Sequence, residues 1–260
     1  MPDSSDVLRR GRFWDRCLNW LAVGVIVIVV PVAFWWLIEP AREAGRRASC
    51  MGHLKMIGLA MLNYDAELHG FPPAYLVDRQ ERPAHSWRVA LLPYLGGCDV
   101  QDRYRFAEPW NSPHNAALAQ GAPSGMASFY PLYHCPSDRY SSKWDTSYVM
   151  VVGPNTISAG PTSTGMKDIT DGISNTILVA EMCDSGIHWM EPRDLPAEQM
   201  SFKINDPEYV GIASRHGGGA IAGFADGHAQ FLSEKTNPEA VQGITTINGG
   251  ERVGKWLDEP

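Results

Sequence analysis

The sequence predicts an α+β fold, with one long N-terminal helix laid against a small antiparallel sheet. Three observations lead there. Residues 17–38 carry no charge. Beyond Pro40, apolar residues recur at alternating spacings of four and three. The second half of the chain holds short β-branched runs bounded by glycine and proline, and Asp226-Gly227 separates two apolar runs.

The uncharged run, from Cys17 to Ile38, is long enough to matter. At 1.5 Å of rise per residue it covers about 33 Å as a helix, against a hydrocarbon core of about 30 Å. A cleaved secretory signal is the competing reading, but its apolar region spans about 7–15 residues and ends at small residues. This run ends Ala33-Phe34-Trp35-Trp36-Leu37-Ile38, and Trp20 and Trp35-Trp36 stand where interfacial anchors belong. Arg9, Arg10, Arg12 and Arg16 precede the span, while Arg42, Arg46, Arg47 and Lys55 follow it. The positive-inside rule applies best to short tails, and long domains cross largely regardless of charge, so the N-terminus is expected in the cytoplasm. The expected division is a cytoplasmic tail (1–16), a transmembrane helix (17–38), its stalk continuation (39–70) and an ectodomain (71–260). This places the chain in the inner membrane as a single-pass protein with an extracytoplasmic C-terminal domain. Membrane lipid is the partner of residues 17–38.

In the stalk, Cys50, Leu54, Ile57, Met61, Tyr64 and Leu68 form one apolar stripe, with Lys55, Asn63, Asp65 and Glu67 off it. Gly70, followed by Phe71-Pro72-Pro73, reads as the stop, with Gly70 taking the left-handed cap. One helix from about Arg12 to His69, bent at Pro31 and Pro40, is the preferred reading; two helices broken at Pro40 are the alternative. Downstream, Ser112-Pro113 before residues 115–120 and Gly121 predicts a short capped helix. Residues 148–152 and 176–180 predict strands, and 129–134 is strand-like. Asp226-Gly227 between 220–224 and 228–232 predicts a hairpin.

Composition narrows the class. The residues beyond the span suit one domain with its own core. A chain with 44% hydrophobic residues, 25 Gly and 19 Pro is folded and turn-rich rather than disordered. Its net charge of −7 argues against nucleic acid as a partner. Cys50, Cys98, Cys135 and Cys183 lie beyond the span, where three disulfide connectivities are open. Cys50 lies on the inward stripe and Cys135 opens a turn. A bridge between them would clamp helix to sheet for about 2–4 kcal/mol; two buried free thiols are the alternative.

Several segments carry a resemblance. Ala41-Arg42-Glu43-Ala44-Gly45-Arg46-Arg47 through Cys50, Leu54-Lys55, Ile57-Gly58-Leu59 and Phe71-Pro72-Pro73 resemble a bacterial prepilin-type domain family of unknown function. Members of that family carry a C-terminal motif of His, nine residues, Asp-Gly, which here is His216 to Asp226-Gly227. Ser86-Trp87-Arg88-Val89, Leu92-Pro93-Tyr94-Leu95, Glu108-Pro109-Trp110-Asn111-Ser112-Pro113 and Cys135-Pro136-Ser137-Asp138 also look like family segments, as do Ser147-Tyr148-Val149, Asp171-Gly172, Ser174-Asn175-Thr176 and Glu181. The resemblance covers roughly residues 40–250 and implies a pilin-like fold with unassigned biochemical activity.

The N-terminus departs from the family pattern. Gly11-Arg12-Phe13-Trp14-Asp15-Arg16 places Arg16 where a pseudopilin carries Glu, five residues after the cut. An uncleaved charged tail on a helix that filaments bury would be costly. The chain therefore reads as a permanently anchored, pilin-like structural or assembly protein of the cell envelope, with other pilin-like or secretion-system subunits as expected partners. The alternative is a membrane-tethered ectodomain that binds a solute or glycan on Trp87, Trp110, Trp144 and Trp189.

The motifs themselves have two readings. In His216-Gly217-Gly218-Gly219 the glycines permit positive φ or close backbone approach, and His216 could reach back toward Asp226. His216, Asp226 and Glu181 then form a ligand or ion site or, as preferred, a structural motif in which Asp226-Gly227 makes a turn. Asp171-Gly172 with Ser174, Asn175 and Thr176 reads as a turn whose side chains satisfy backbone groups, a sugar or calcium pocket being the alternative. Ser174, His216 and Asp226 hold the residue types of a hydrolytic triad, without a nucleophile elbow. His134-Cys135 lacks the paired spacing of a zinc site. No catalytic residue, metal or cofactor is expected from the sequence.

Overall fold

The computed structural model describes residues 4–96, 102–119 and 130–250. Cys98, Gly121 and Phe129 lie outside the described residues. Two compact units divide the chain, residues 1–45 and 46–260. Helix α1 (Ser4–Leu68) contributes to both, starts earlier than the sequence suggests, and contains Pro31 and Pro40 within its length.

In the first unit, large apolar side chains of α1 lie open on every side. Val23, Ile28, Phe34, Trp35, Trp36 and Leu37 are all exposed, Trp36 by 77%. A helix that is apolar all round suits lipid, and this one is long and apolar enough to cross a membrane. Arg42 lies over the Trp35 ring at 5.2 Å.

The second unit follows α1 with β1 (Tyr75–Val77), β2 (Pro83–Ser86), α2 (Trp87–Ala90) and α3 (Pro113–Ala119). Then come β3 (Tyr148–Val149), β4 (Val151–Val152), β5 (Ile177–Glu181), β6 (Leu195–Pro196), β7 (Gly219–Phe224), β8 (Ala229–Ser233) and α4 (Pro238–Thr245). The central sheet is antiparallel in the order β3-β5-β7-β8. On one face Cys50, Leu54, Ile57 and Met61 of α1 pack with Tyr148, Val179 and Ile221. Val149, Ala180, Ala222 and Phe224 belong to the opposite core, covered by Ala240, Val241 and Ile244 of α4. The sheet is therefore enclosed between two helices, and β7 is buried along its whole length.

Four local findings modify the sequence reading. The left-handed residue after α1 is His69 (φ 59°), not Gly70. Gly70 is needed for space, since a Cβ there would lie 3.1 Å from that of Ser163. Leu68, last on the predicted stripe, is exposed; a strict spacing of 3.5 drifts by about 20° per heptad on a straight helix, which turns the stripe's end away from the sheet. Residues 148–152 split at Met150, whose N–H leaves the ladder to donate to Asp194 Oδ1 at 2.9 Å, so β4 pairs in parallel with β6 in a separate sheet. Finally, Tyr130–Tyr133 is a 3-10 turn and not a strand, with Pro131 unable to donate to a ladder.

Candidate functional site

Four buried side chains converge where α1 packs on the sheet. The ligand atoms of Cys50, Cys135, Glu181 and His216 all lie within 4.8 Å of one another. None of the four residues is more than 2% exposed.

Each is positioned by its own element. Cys50 sits on the inward stripe of α1. Cys135 opens a turn closed by the Asp138 N–H donating to its carbonyl at 2.9 Å. The Ser147 hydroxyl accepts the Cys135 N–H and donates to the Asp138 carboxylate, each at 3.0 Å. Glu181 ends β5 directly opposite Tyr148 in β3, so the pleat sends both side chains toward α1. His216 lies in the loop leading into β7, its N–H donating to the Ser214 hydroxyl at 3.0 Å. That hydroxyl donates in turn to the Gly219 carbonyl at 2.8 Å. Both roles foreseen for the glycines occur here. Gly218 has φ 84°, and a Cβ on Gly219 would fall 2.0 Å from the Leu232 carbonyl oxygen.

Within the cluster, Cys50 Sγ faces Cys135 Sγ at 2.7 Å with no bond joining them in this structure. Cys135 Sγ lies 3.4 Å from His216 Nε2, which is also 3.4 Å from Glu181 Oε1. That second approach is off the hydrogen-bonding direction, so Glu181 Oε1 accepts no hydrogen bond. Glu181 Oε2 accepts the Ile221 N–H at 2.7 Å. The Tyr148 hydroxyl stands 3.3 Å from His53 Nδ1.

The electrostatics agree that bare negative charge is disfavoured here. The hydrogen bond with Cys50, and then burial, push the Cys135 thiol above its ordinary range. Burial, followed by the neighbouring Cys50, Cys135 and Glu181 charges, pushes the Tyr148 phenol well up. Burial lowers His53 despite the nearby Glu181. Two sulfurs, an imidazole and a carboxylate in such a place are the donor types of a borderline-soft metal.

Asp226 does not join this cluster, contrary to the expectation that His216 reaches it. The two residues flank β7, and its 6 residues put about 20 Å between them. Asp226 instead accepts the Ser174 hydroxyl at 2.7 Å, the His228 N–H at 3.0 Å and His228 Nδ1 at 2.5 Å. Burial acts to raise its pKa, but these hydrogen bonds outweigh it and hold the carboxyl below its usual range. Gly227 (φ 86°) completes the hairpin loop and lies against α1, since a Cβ built on Gly58 would sit 3.2 Å from Gly227 Cα. Ser174 and Asp226 are thus bonded to each other, with His216 elsewhere.

The Asp171 turn is tied to the chain's later residues. Its carboxylate accepts N–H groups of Gly249 and Gly250 at 2.6 and 2.8 Å, and Asn175 Nδ2 donates to its carbonyl at 3.1 Å. Gly172 has φ 97°. Of the four tryptophans proposed for stacking, Trp87 and Trp189 are buried. Trp110 is half-buried and stacks on His188 at 5.1 Å, and Trp144 lies under Lys143 at 4.8 Å. A separate groove of about 880 Å³ is lined by residues that include Asp78, Arg82, His85, Phe106 and Glu108.

The family described as "Protein of unknown function (DUF1559)" matches residues 39–189. The match takes in Cys50, Cys135 and Glu181 and ends before His216 and Asp226-Gly227. No curated protein and no solved structure matches the chain.

Proposed function

The chain belongs to the DUF1559 family of proteins of unknown function, and from that premise we propose that it is a membrane-anchored, non-catalytic, pilin-like structural or assembly protein of the cell envelope. The observation that carries this reading is the apolar stretch of α1 between residues 23 and 37, whose described side chains are exposed. Leaving such a surface in water costs about 25 cal/mol per Å², a cost that lipid removes. The arginines at 9, 10, 12 and 16 form the short basic flank that holds an N-terminus in the cytoplasm, and residues 46–260 then lie outside the inner membrane. Residues 46–68, packed as a helix on an antiparallel sheet, are what a pilin-like ectodomain requires. Arg16 and the charged tail favour an anchor over a filament subunit. Other pilin-like or secretion-system subunits are the partners proposed for it.

The intact mass and N-terminal peptide of the protein, taken from its native membrane fraction after alkaline extraction, test this reading. Residues 1–16 retained in a protein that resists extraction is the expected result. A chain beginning near Arg12 would instead make it a processed pseudopilin, and release by alkali would remove the anchor.

A second reading, a tethered solute-binding ectodomain, draws on the groove with its paired charges and aromatic wall. With Trp87 and Trp189 in the core, the groove rather than a tryptophan platform would be its site. Loss of solute binding on Arg82→Ala would select this reading.

A further inference from the structure

We propose that Cys50, Cys135, Glu181 and His216 bind one structural zinc ion in a closed, four-ligand site that clamps α1 to the sheet. Thiolate sulfur, imidazole nitrogen and carboxylate oxygen are all zinc ligands, and the two sulfurs argue against calcium or magnesium, which take oxygen. Zinc bonds of about 2.0–2.3 Å make a tetrahedron with edges of about 3.3–3.8 Å. The sulfur–nitrogen and nitrogen–oxygen separations here are both 3.4 Å. The two sulfurs, 2.7 Å apart, open by about 1 Å to reach such an edge.

Glu181 supplies an independent observation. Its Oε1 is buried, aimed into the cluster and accepts no hydrogen bond, while Oε2 is held by the Ile221 N–H. A buried carboxylate oxygen without a donor is expensive, and a cation removes the expense. With both thiols deprotonated and the imidazole neutral, the dication cancels two of the three ligand charges. The outer groups are in place as well: Ser147 fixes the Cys135 turn, Ile221 orients Glu181, and the Tyr148 hydroxyl lies beside Cys50.

The same geometry makes the ion structural. Four protein ligands fill a tetrahedron, leaving no position for substrate or water. The narrow crevice above them, between Asp138, Cys183 and Arg215, has no room for a water molecule. A Cys50–Cys135 disulfide is the competing use of these sulfurs and excludes the ion.

The full-length protein, purified in detergent from membranes under mild conditions, is analysed for zinc by mass spectrometry and then loaded with Co²⁺ after chelation. Expected are about one zinc per chain and, with cobalt, thiolate charge-transfer bands together with intense tetrahedral d–d bands. X-ray absorption should show sulfur scatterers near 2.3 Å beside nitrogen and oxygen near 2.0 Å. Cys135→Ser and His216→Gln should lower the zinc content at least tenfold, while Cys183→Ser keeps it. Because a ligand variant could fail to fold, the wild-type absorption spectrum decides independently. A metal shell without sulfur, a protein that takes up neither zinc nor cobalt, zinc that follows Cys183, or a peptide map with Cys50 joined to Cys135 would each overturn the proposal.

Discussion

Arg88 and Asp194 form an ion pair at 2.7 Å with their side chains 0% and 1% exposed. The pair is a hub. Asp194 also accepts Trp87 Nε1 at 3.0 Å and the Met150 N–H at 2.9 Å. Arg88 gives its other donors to the Tyr148 carbonyl and the Ser86 hydroxyl, both at 2.8 Å. It therefore joins α2 to β3 and explains why the strand run breaks at Met150. Removing one partner leaves a buried, unpaired charge, so Arg88→Ala should lower unfolding stability by about 3–5 kcal/mol. Urea denaturation of the full-length protein in detergent measures this. The double variant Arg88→Met/Asp194→Asn, which removes both charges but keeps an acceptor for the Trp87 and Met150 N–H groups, should recover part of the loss, and a double variant no better than the single would contradict the charge argument.

Gly219 and Gly217 should behave oppositely. A Cβ on Gly219 would meet the Leu232 carbonyl at 2.0 Å, whereas one on Gly217 meets nothing within 4 Å. Overpacking costs about 1–3 kcal/mol and more against backbone, so Gly219→Ala should be strongly destabilising. Gly217→Ala should stay within about 0.5 kcal/mol of wild type. Equal melting temperatures for the two variants would refute the close approach.

On α1, Leu54→Ala should cost about 2–5 kcal/mol, because Leu54 is fully buried between helix and sheet. Leu68→Ala, at an exposed position on the same predicted stripe, should change stability by less than about 0.5 kcal/mol. Thermal unfolding of the two variants side by side checks whether the stripe leaves the core before Leu68.

Acid should probe Asp226. Its folded-state pKa is depressed, so the unfolded chain takes up a proton first, and the contribution to stability is present above the usual carboxylate pKa of about 3.9. It is lost as pH falls further, through the lower folded value. The wild-type melting temperature should therefore drop more steeply between about pH 5 and pH 3 than that of Asp226→Asn. Parallel slopes would mean that Ser174 and His228 do not stabilise the ionised form.

Much of the fold was legible in the sequence, for reasons visible in particular residues. The apolar run before Ile38 and the stripe from Cys50 to Met61 are long periodic signals. Asp226-Gly227 is a local turn signal with strands on both sides. Helix α4 carries its own signals too, Asn237 capping the Glu239 N–H at 2.9 Å with Pro238 in the first turn, but its 8 residues offer little periodicity. The Cys50, Cys135, Glu181 and His216 cluster was not legible as a unit. Its members stand on four separate elements with no short spacing between them, and only the β3–β5 register and the packing of α1 bring them together. The sequence offers Cys50 with Cys135, and His216 with Glu181 and Asp226, only as two separate groupings, and Glu181 stands out locally as an acid ending the apolar run Ile177-Leu178-Val179-Ala180.

The contact between Gly58 and Gly227 gives the strand that separates them from the cluster a further role. His216 and Gly227 stand at opposite ends of β7, and each meets α1, His216 at Cys50 and Gly227 at Gly58. The strand works as a calliper with two jaws closed on one helix, the first through side chains and the second through the Gly58 and Gly227 backbones with the Leu62 side chain beside them. Sliding or rolling the helix over the sheet would open one jaw or the other. The interval from Cys50 to Gly58 on the helix is thereby coupled to the interval from His216 to Gly227 across the strand, and a single inserted residue in either would shear the interface.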